Sequence, residues 1–209
     1  MGRLRVFIAA VLGSALLAGC ARTGRTLAPH RPVTLPTTGP LTKPVLPPLS
    51  QPAFGVTEPA ERTLDAVPRF VYVGAETTFK DIAGAVERAM ADLSAAQSGG
   101  RFRATGPVVM VYRGATADPD KPFTLEVGMP AEDGPPPGGR VRARPLPAMK
   151  AVAVEFTGPL SAIDKAYDRL MPAVQALKRE PTGETREVYL NWDGPTSANN
   201  RVLVGAGVR

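Results

Sequence analysis

Between Pro68 and Val208 the chain carries one plan, strand–helix–strand–strand, and carries it twice. In the first pass, Phe70-Val71-Tyr72-Val73 is β-branched and aromatic and predicts a strand. Thr77 or Thr78 is placed to cap a helix with Asp81 in its first turn. Phe79, Ile82, Val86, Met90 and Leu93 then recur at helical spacing until Ser98-Gly99-Gly100 stops them. Residues 108–112 and 123–129 read as strands around a loop over 114–122, and the Gly/Pro run 134–139 is a break. In the second pass, residues 141–146 and 149–156 are extended, and Thr157-Gly158-Pro159 opens a helix. Its stripe is Leu160, Ile163, Tyr167, Leu170, Val174 and Leu177, with Pro172 inside it predicting a kink or an earlier break. Strands over 186–192 and 201–208 complete the second pass. The stretch V-V-M-V-Y-R-G around Tyr112 matches R-E-V-Y-L-N-W around Tyr189. A half of roughly 65–70 residues buries too little surface to stand alone. The expected fold is therefore α+β: pseudo-two-fold duplicated strand–helix–strand–strand units forming one antiparallel sheet, with helices on one face and a groove at the internal axis.

What precedes this repeat is of another kind. Arg3 and Arg5 form a basic head, Val6 to Ala18 an apolar run, and Leu17-Ala18-Gly19-Cys20 follows. The run is short for a membrane span and has the anatomy of a secretory leader, residues 1–19. Cys20 is the only cysteine, which excludes an internal disulfide, and it stands at the position that a bacterial lipobox acylates. Ala21 rather than an acid follows it, which by resemblance to Gram-negative lipoproteins points to the outer membrane, facing the periplasm. Residues 20–67 read as a lipidated Cys and a Pro-rich disordered tether, with nine prolines from Pro29 to Pro59 and no apolar period. The domain is expected over 68–209. His30, the only histidine, falls in the tether, so no histidine is available in the repeat for catalysis, a metal or haem. No metal site and no cofactor are expected. The formal charge of +6 divides evenly among leader, tether and domain, and no Lys/Arg cluster suited to several phosphates of nucleic acid stands out in the repeat.

Strand alternation sorts the candidate site. Glu187 is a carboxylate inside an otherwise apolar strand. It shares a face with Tyr189, and Met110 and Tyr112 hold the matching positions in the first half. Val188 and Leu190 are expected to turn toward the helices, leaving Glu187 and the two phenols on the free sheet face. Desolvation there raises a carboxylate's pKa unless a bound cation holds it ionised. Aromatic faces around one carboxylate suit a lipophilic cation, while an exposed strand acid is the plain alternative. Tyr167 lies on the helical stripe as core or groove wall. Glu126 is a weaker site candidate, and Trp192 falls with Val188 as core or rim if its strand stays regular.

Residues 68–208 resemble the GyrI-like family, the effector-binding domain also found in AraC-type and MerR-type transcription regulators. The resemblance is carried by G-P-V-V-M-V-Y, T-L-E-V-G-M-P-A, G-R-V-R-A-R-P-L-P-A-M-K-A-V-A-V-E-F-T-G-P, A-Y-D-R-L and R-E-V-Y-L-N. It implies a small-molecule ligand, cationic, lipophilic or polycyclic, held in an aromatic-walled pocket around the strand acid, here Glu187. Tyr112, Tyr189, Met110 and Tyr167 are the expected ligand contacts. Some members resemble hydrolases that direct the same Glu at small electrophiles, which leaves a catalytic Glu187 as the alternative. The partners expected are thus a small molecule and, through Cys20, a membrane, with no nucleic acid.

Overall fold

The computed structural model describes residues 54–209, and the expected leader, Cys20, His30 and the tether up to residue 53 lie outside them. The elements are β1 (Gly55–Val56), β2 (Ala60–Leu64), β3 (Val67–Thr77), α1 (Ile82–Ser98), β4 (Val109–Arg113), β5 (Phe123–Pro130), β6 (Arg142–Leu146), β7 (Met149–Thr157), α2 (Asp164–Ala176), β8 (Pro181–Asn191) and β9 (Arg201–Val208). The domain starts earlier than Pro68. Residues 55–64, expected in the tether, pair antiparallel with β7. β2 has only Leu64 buried, so it is an edge segment whose pairing leaves no apolar alternation to read.

All strand pairs are antiparallel, and the duplicated plan holds. The pairings also return on themselves, running β3–β5–β4–β8–β9–β7–β2, and β2 leads into β3 through Asp65 and Ala66. The register of β2 on β7, Leu64 opposite Met149, continues into that of β3 on β6, Val67 opposite Leu146. The sheet is therefore curled into a closed circuit with an inner and an outer face. Phe70, Val109, Val111 and Leu146 meet across the inside as a buried cluster, and Leu64, Met149, Ala151 and Ala153 make a second. Burial of each large member is worth about 1.5–3 kcal/mol. Glycine lets the walls approach: a Cβ on Gly128 would lie 2.3 Å from the Val71 carbonyl oxygen.

Both helices pack on the outer face, α1 over β3 and β5, α2 over β7 and β9. Val71, Val73, Leu125 and Val127 face α1, Val152, Val154, Val202 and Val204 face α2, and all join one core. The central pair β4–β8 runs between the two helices. Pro172 does not break α2, which is continuous across it because the position is exposed; the discontinuity is a 3-10 turn at Leu160–Ala162. Leu177, expected in the stripe, lies past the helix end and is exposed.

Candidate functional site

The two repeats meet at β4 and β8, where Met110 lies directly opposite Glu187. With Tyr112 set on Tyr189, the repeats also make Met110 and Glu187 equivalents of one another, so both stand on the pseudo-two-fold axis. Tyr112 is two residues further along β4 and Tyr189 two further along β8, so both phenols flank the carboxylate on one face. That face is the outer one, beneath the helices. Glu187, Tyr189, Met110 and Tyr112 therefore sit opposite to the expected free face, and Val188 and Leu190 take the other side. The closed sheet explains the reversal: its inside also needs apolar residues, so Val188 packs with Phe70, Val109 and Leu146.

The five residues expected at the site converge on one point. Tyr112 Oη donates to Glu187 Oε2 at 3.0 Å and Tyr189 Oη to the same oxygen at 2.9 Å. Tyr167, from α2, donates to Oε1 at 2.5 Å. Met110 Sδ lies 3.6 Å from each of the Tyr112 and Tyr189 hydroxyls. Glu187 has 0% exposure, and among the described residues no Lys or Arg pairs with it. Burial pushes its carboxyl above the usual range, while the bonds from Tyr167, Tyr189 and Tyr112 pull the other way. All three phenols are raised well above their ordinary value, first by burial and then by the charge of Glu187.

Further rings extend outward from this centre on both sides. Phe123 lies 6.0 Å from Tyr112, and Phe79 4.6 Å from Phe123. On the other lobe, Trp192 meets Tyr189 edge-on at 6.1 Å. A register shift between Tyr189 and Asn191 turns Trp192 away from the Val188 side, where regular alternation places it, onto the main core. Phe79, Tyr167 and Trp192 are half-buried, so aromatic rings from each half lie between solvent and the fully covered carboxylate. Phe79 and Phe123 extend the site beyond the residues that strand alternation around Glu187 marks; Phe123 shares the parity of Leu125 and Val127, the sequence signal for its place on this face.

Glu126 is a different kind of acid. It faces the inside of the sheet, where Arg113 and Arg144 pair with it at 2.8 and 2.5 Å. Arg113 also pairs with Glu184, and Glu184 with Arg186, whose guanidinium donates to the Pro147 carbonyl. Arg144 lies over the stacked rings of Phe70 and Tyr72. This network leaves Glu126 satisfied and separated from Glu187 by the sheet. Among the described residues no group of three His, Cys, Asp or Glu side chains is placed to hold a metal ion.

The fold is shared with solved structures of low sequence identity. The EcmrR chain of an EcmrR–DNA complex superposes with a TM-score of 0.62 at 16% identity over 75% of this chain. This chain spans 57% of that one's length. The EcmrR C-terminal domain alone gives 0.54 at 18% identity, covering 77% of this chain and 99% of that one. SAV2435 bound to tetraphenylphosphonium gives 0.57 at 13% identity, covering 73% and 94%. No curated protein sequence matches the chain. Residues 57–202 match the family model described as the GyrI-like small molecule binding domain, and with its duplicated α+β fold the chain belongs to the GyrI-like family.

Proposed function

We propose that the domain captures a lipophilic cation above the β4–β8 pair, with Glu187 as its countercharge. Tyr112, Tyr189, Tyr167 and Met110 form the wall around it. The observation that carries this reading is a fully buried carboxylate that accepts three phenolic hydrogen bonds and has no cation beside it among the described residues. An unpaired buried ion costs several kcal/mol even after local relaxation. A cation that brings its own apolar shell relieves that cost and presents its charge to ring faces. Tetraphenylphosphonium, the compound on SAV2435, is of this chemistry: a phosphonium centre inside four phenyl rings. The ligand enters between α1 and α2 as Tyr167 and Trp192 swing aside. Trp192 is the only tryptophan, so its emission reports the event. Titration with tetraphenylphosphonium is expected to change that emission saturably, and Glu187→Gln to weaken binding by roughly 100-fold. Saturable binding that Glu187→Gln leaves unchanged refutes the assignment.

We further propose that the domain is held at a membrane. Cys20, acylated after removal of residues 1–19, holds the chain to the outer membrane facing the periplasm, with the proline-rich stretch as spacer. The basic head, the apolar run and Leu17-Ala18-Gly19-Cys20 support it. Two or three acyl chains anchor far more firmly than one. Fractionation of cells carrying Cys20→Ser is expected to find the protein released from membranes, and unchanged retention counts against the anchor.

A further inference from the structure

The repeat that sets Val73 on Val154 also sets Ala85 on Ala166 and Arg88 on Arg169, so the two lobes correspond residue by residue. They differ at one sheet edge. In the second lobe the edge of β7 is covered beyond β2 by residues 54–58. Gly55 pairs with Thr157 and Val56 with Phe156, and Thr57 N donates to the Glu155 carbonyl at 3.0 Å. Glu155 N in turn donates to Thr57 Oγ1 at 2.9 Å. Val56 packs on the main core. Arg169 holds the segment from α2, donating to the Val56 carbonyl at 3.0 Å and to Glu58 Oε1 at 2.8 Å.

In the first lobe the corresponding edge belongs to β3, and β6 covers it only as far as Tyr72, opposite Arg142. On the far side of Arg142 the chain is turned away: Gly138 and Gly139 have positive φ, and Arg101 donates to the carbonyls of Pro137 and Gly138. The Arg69 carbonyl accepts from Ala131 N on the β5 side. By alternation Gly74 and Glu76 direct their N–H and C=O groups to the other side, where no strand pairs with them among the described residues. Arg88 has no carboxylate or carbonyl partner among the described residues, and its Nη1 is folded back to 3.1 Å from where a Gly84 Cβ would stand. The other charges nearby are engaged, Lys80 by Asp120 at 2.5 Å, Asp81 by Thr78 and Glu76 by Thr124. A cavity of about 720 Å³ opens between the end of β3, at Glu76 and Thr77, and Gly84 and Arg88 of α1. The equivalents of Glu76, Thr77 and Arg88 are Thr157, Gly158 and Arg169, which in the second lobe meet Gly55, Phe54 and Glu58.

We infer that the β3 edge beside Arg88 is a docking site for an extended segment of a partner protein, which adds an antiparallel strand along Gly74–Thr77 and presents a carboxylate to Arg88. The second lobe shows the form of the occupant: a β-branched apolar residue under the helix and an acid two residues on, as in Val56-Thr57-Glu58. Backbone hydrogen bonds supply the affinity of such an added strand, and side chains at alternate positions its selectivity. Residues 1–53 contain no Asp or Glu, so that stretch of this chain lacks the carboxylate that the site selects. The segment 54–58 of a second copy is held on its own β7 and would have to leave it. The site is independent of any ligand at Glu187, which lies on β8.

The test uses the full chain carrying Cys20→Ser, isotope-labelled for amide spectra. It is titrated with a synthetic peptide of residues 54–59, F-G-V-T-E-P, blocked at both ends, and with the same peptide carrying Gln in place of Glu58. Without peptide, the Gly74 and Glu76 amides are expected to exchange freely with solvent. With it, they shift saturably and become protected. The Gln peptide is expected to bind about fivefold more weakly, and Arg88→Gln to erase that preference. Gly74→Pro removes an edge N–H and is expected to abolish binding with the fold retained by circular dichroism. Amides already protected without peptide mean that residues 1–53 or a second copy covers the edge, and overturn the proposal. Equal binding of both peptides, binding that survives Gly74→Pro, or no shift at Gly74 and Glu76 overturns it as well.

Discussion

Replacing Glu187 by Gln is expected to make the folded protein more stable at neutral pH while it loses its cation. Glu187 is fully buried, and burial is the largest influence on its carboxyl, outweighing three phenolic hydrogen bonds. Bonds to a charged acceptor contribute about 1.5–3 kcal/mol each, whereas desolvating the charge costs several kcal/mol. Gln keeps the shape and removes the charge. Its Oε1 accepts two of the phenols, and its amide donates to the third once that hydroxyl rotates. The expected gain is about 1–2 kcal/mol, a rise of roughly 3–8 °C in Tm for a domain of this size.

The sign follows from linkage. A folded-state pKa above the ordinary 4.5 means that the contribution of Glu187 is complete below that pH and is lost as pH rises through the folded value. The wild type and Glu187→Gln are therefore expected to converge in acid and diverge toward neutrality, as read by urea denaturation across that window. Glu187→Ala serves as the contrast, since it leaves three buried hydroxyls and a void and is expected to destabilise at every pH. A Glu187→Gln protein that is less stable than wild type at neutral pH by 1 kcal/mol or more refutes the reasoning, because the hydrogen bonds then outweigh the buried charge.

Four further outcomes are expected. Tetraphenylphosphonium affinity rises as pH increases through the folded pKa of Glu187 and binding releases a proton, measurable by calorimetry in buffers of different ionisation enthalpy; a pH-independent affinity contradicts it. Tyr167→Phe removes the bond that most lowers the Glu187 pKa, so the midpoint of that affinity profile moves to higher pH with the fold retained by circular dichroism. Gly128→Ala brings a Cβ against Val71 O, Tyr72 Cβ and Phe70 Cε2, all under 3 Å, and is expected to cost about 3 kcal/mol or more in thermal denaturation. Gly55→Ala, with nothing within 4 Å, is expected to change stability by less than about 0.5 kcal/mol.

The elements that a period reveals were legible: both helical stripes, the strands around Tyr112 and Tyr189, and the repeat that relates them. Sidedness was legible only in part. Alternation groups Glu187 with Tyr189 and Met110 with Tyr112, but it does not say which group meets the helices. The inside of a closed sheet also takes apolar residues beside its ion-pair network, so Val188 and Tyr189 gave no contrast from which to choose. Closure itself depends on β2 meeting β7 and β3 meeting β6, contacts between segments about 70 to 90 residues apart whose edge strands are polar. The turn of Trp192 depends on a register shift, which leaves no mark in a count of alternate residues. Tyr167 was legible as a member of the α2 stripe, and its hydroxyl reaches Oε1 from a helix that lies over β7 and β9, with β9 the neighbour of β8.

The pseudo-two-fold also explains why a site of this kind holds one acid. A residue on the axis faces its own equivalent across β4 and β8, so a fully symmetric chain with Glu at both positions would set two carboxylates directly opposite each other. Side chains opposed in an antiparallel pair lie about 4.5–5.5 Å apart at Cβ, and like charges there are destabilising. Under two helices one of them would be forced to keep its proton. Met110 in place of the second acid removes that conflict and leaves a polarizable sulfur, to which the Tyr112 and Tyr189 hydroxyls lie equally close. The asymmetry continues outward: Tyr167 reaches in from α2, whereas its equivalent on α1, in the repeat that sets Val73 on Val154, is Val86, buried together with Ala85 and Ala89. A cation held by Glu187 therefore meets a hydroxyl on one side and small apolar side chains on the other. It follows that enlarging the α1 side with Ala89→Leu should exclude a bulky cation such as tetraphenylphosphonium and spare a slimmer tetraalkylammonium. Equal loss of both in the titration of Trp192 emission would place the ligand elsewhere.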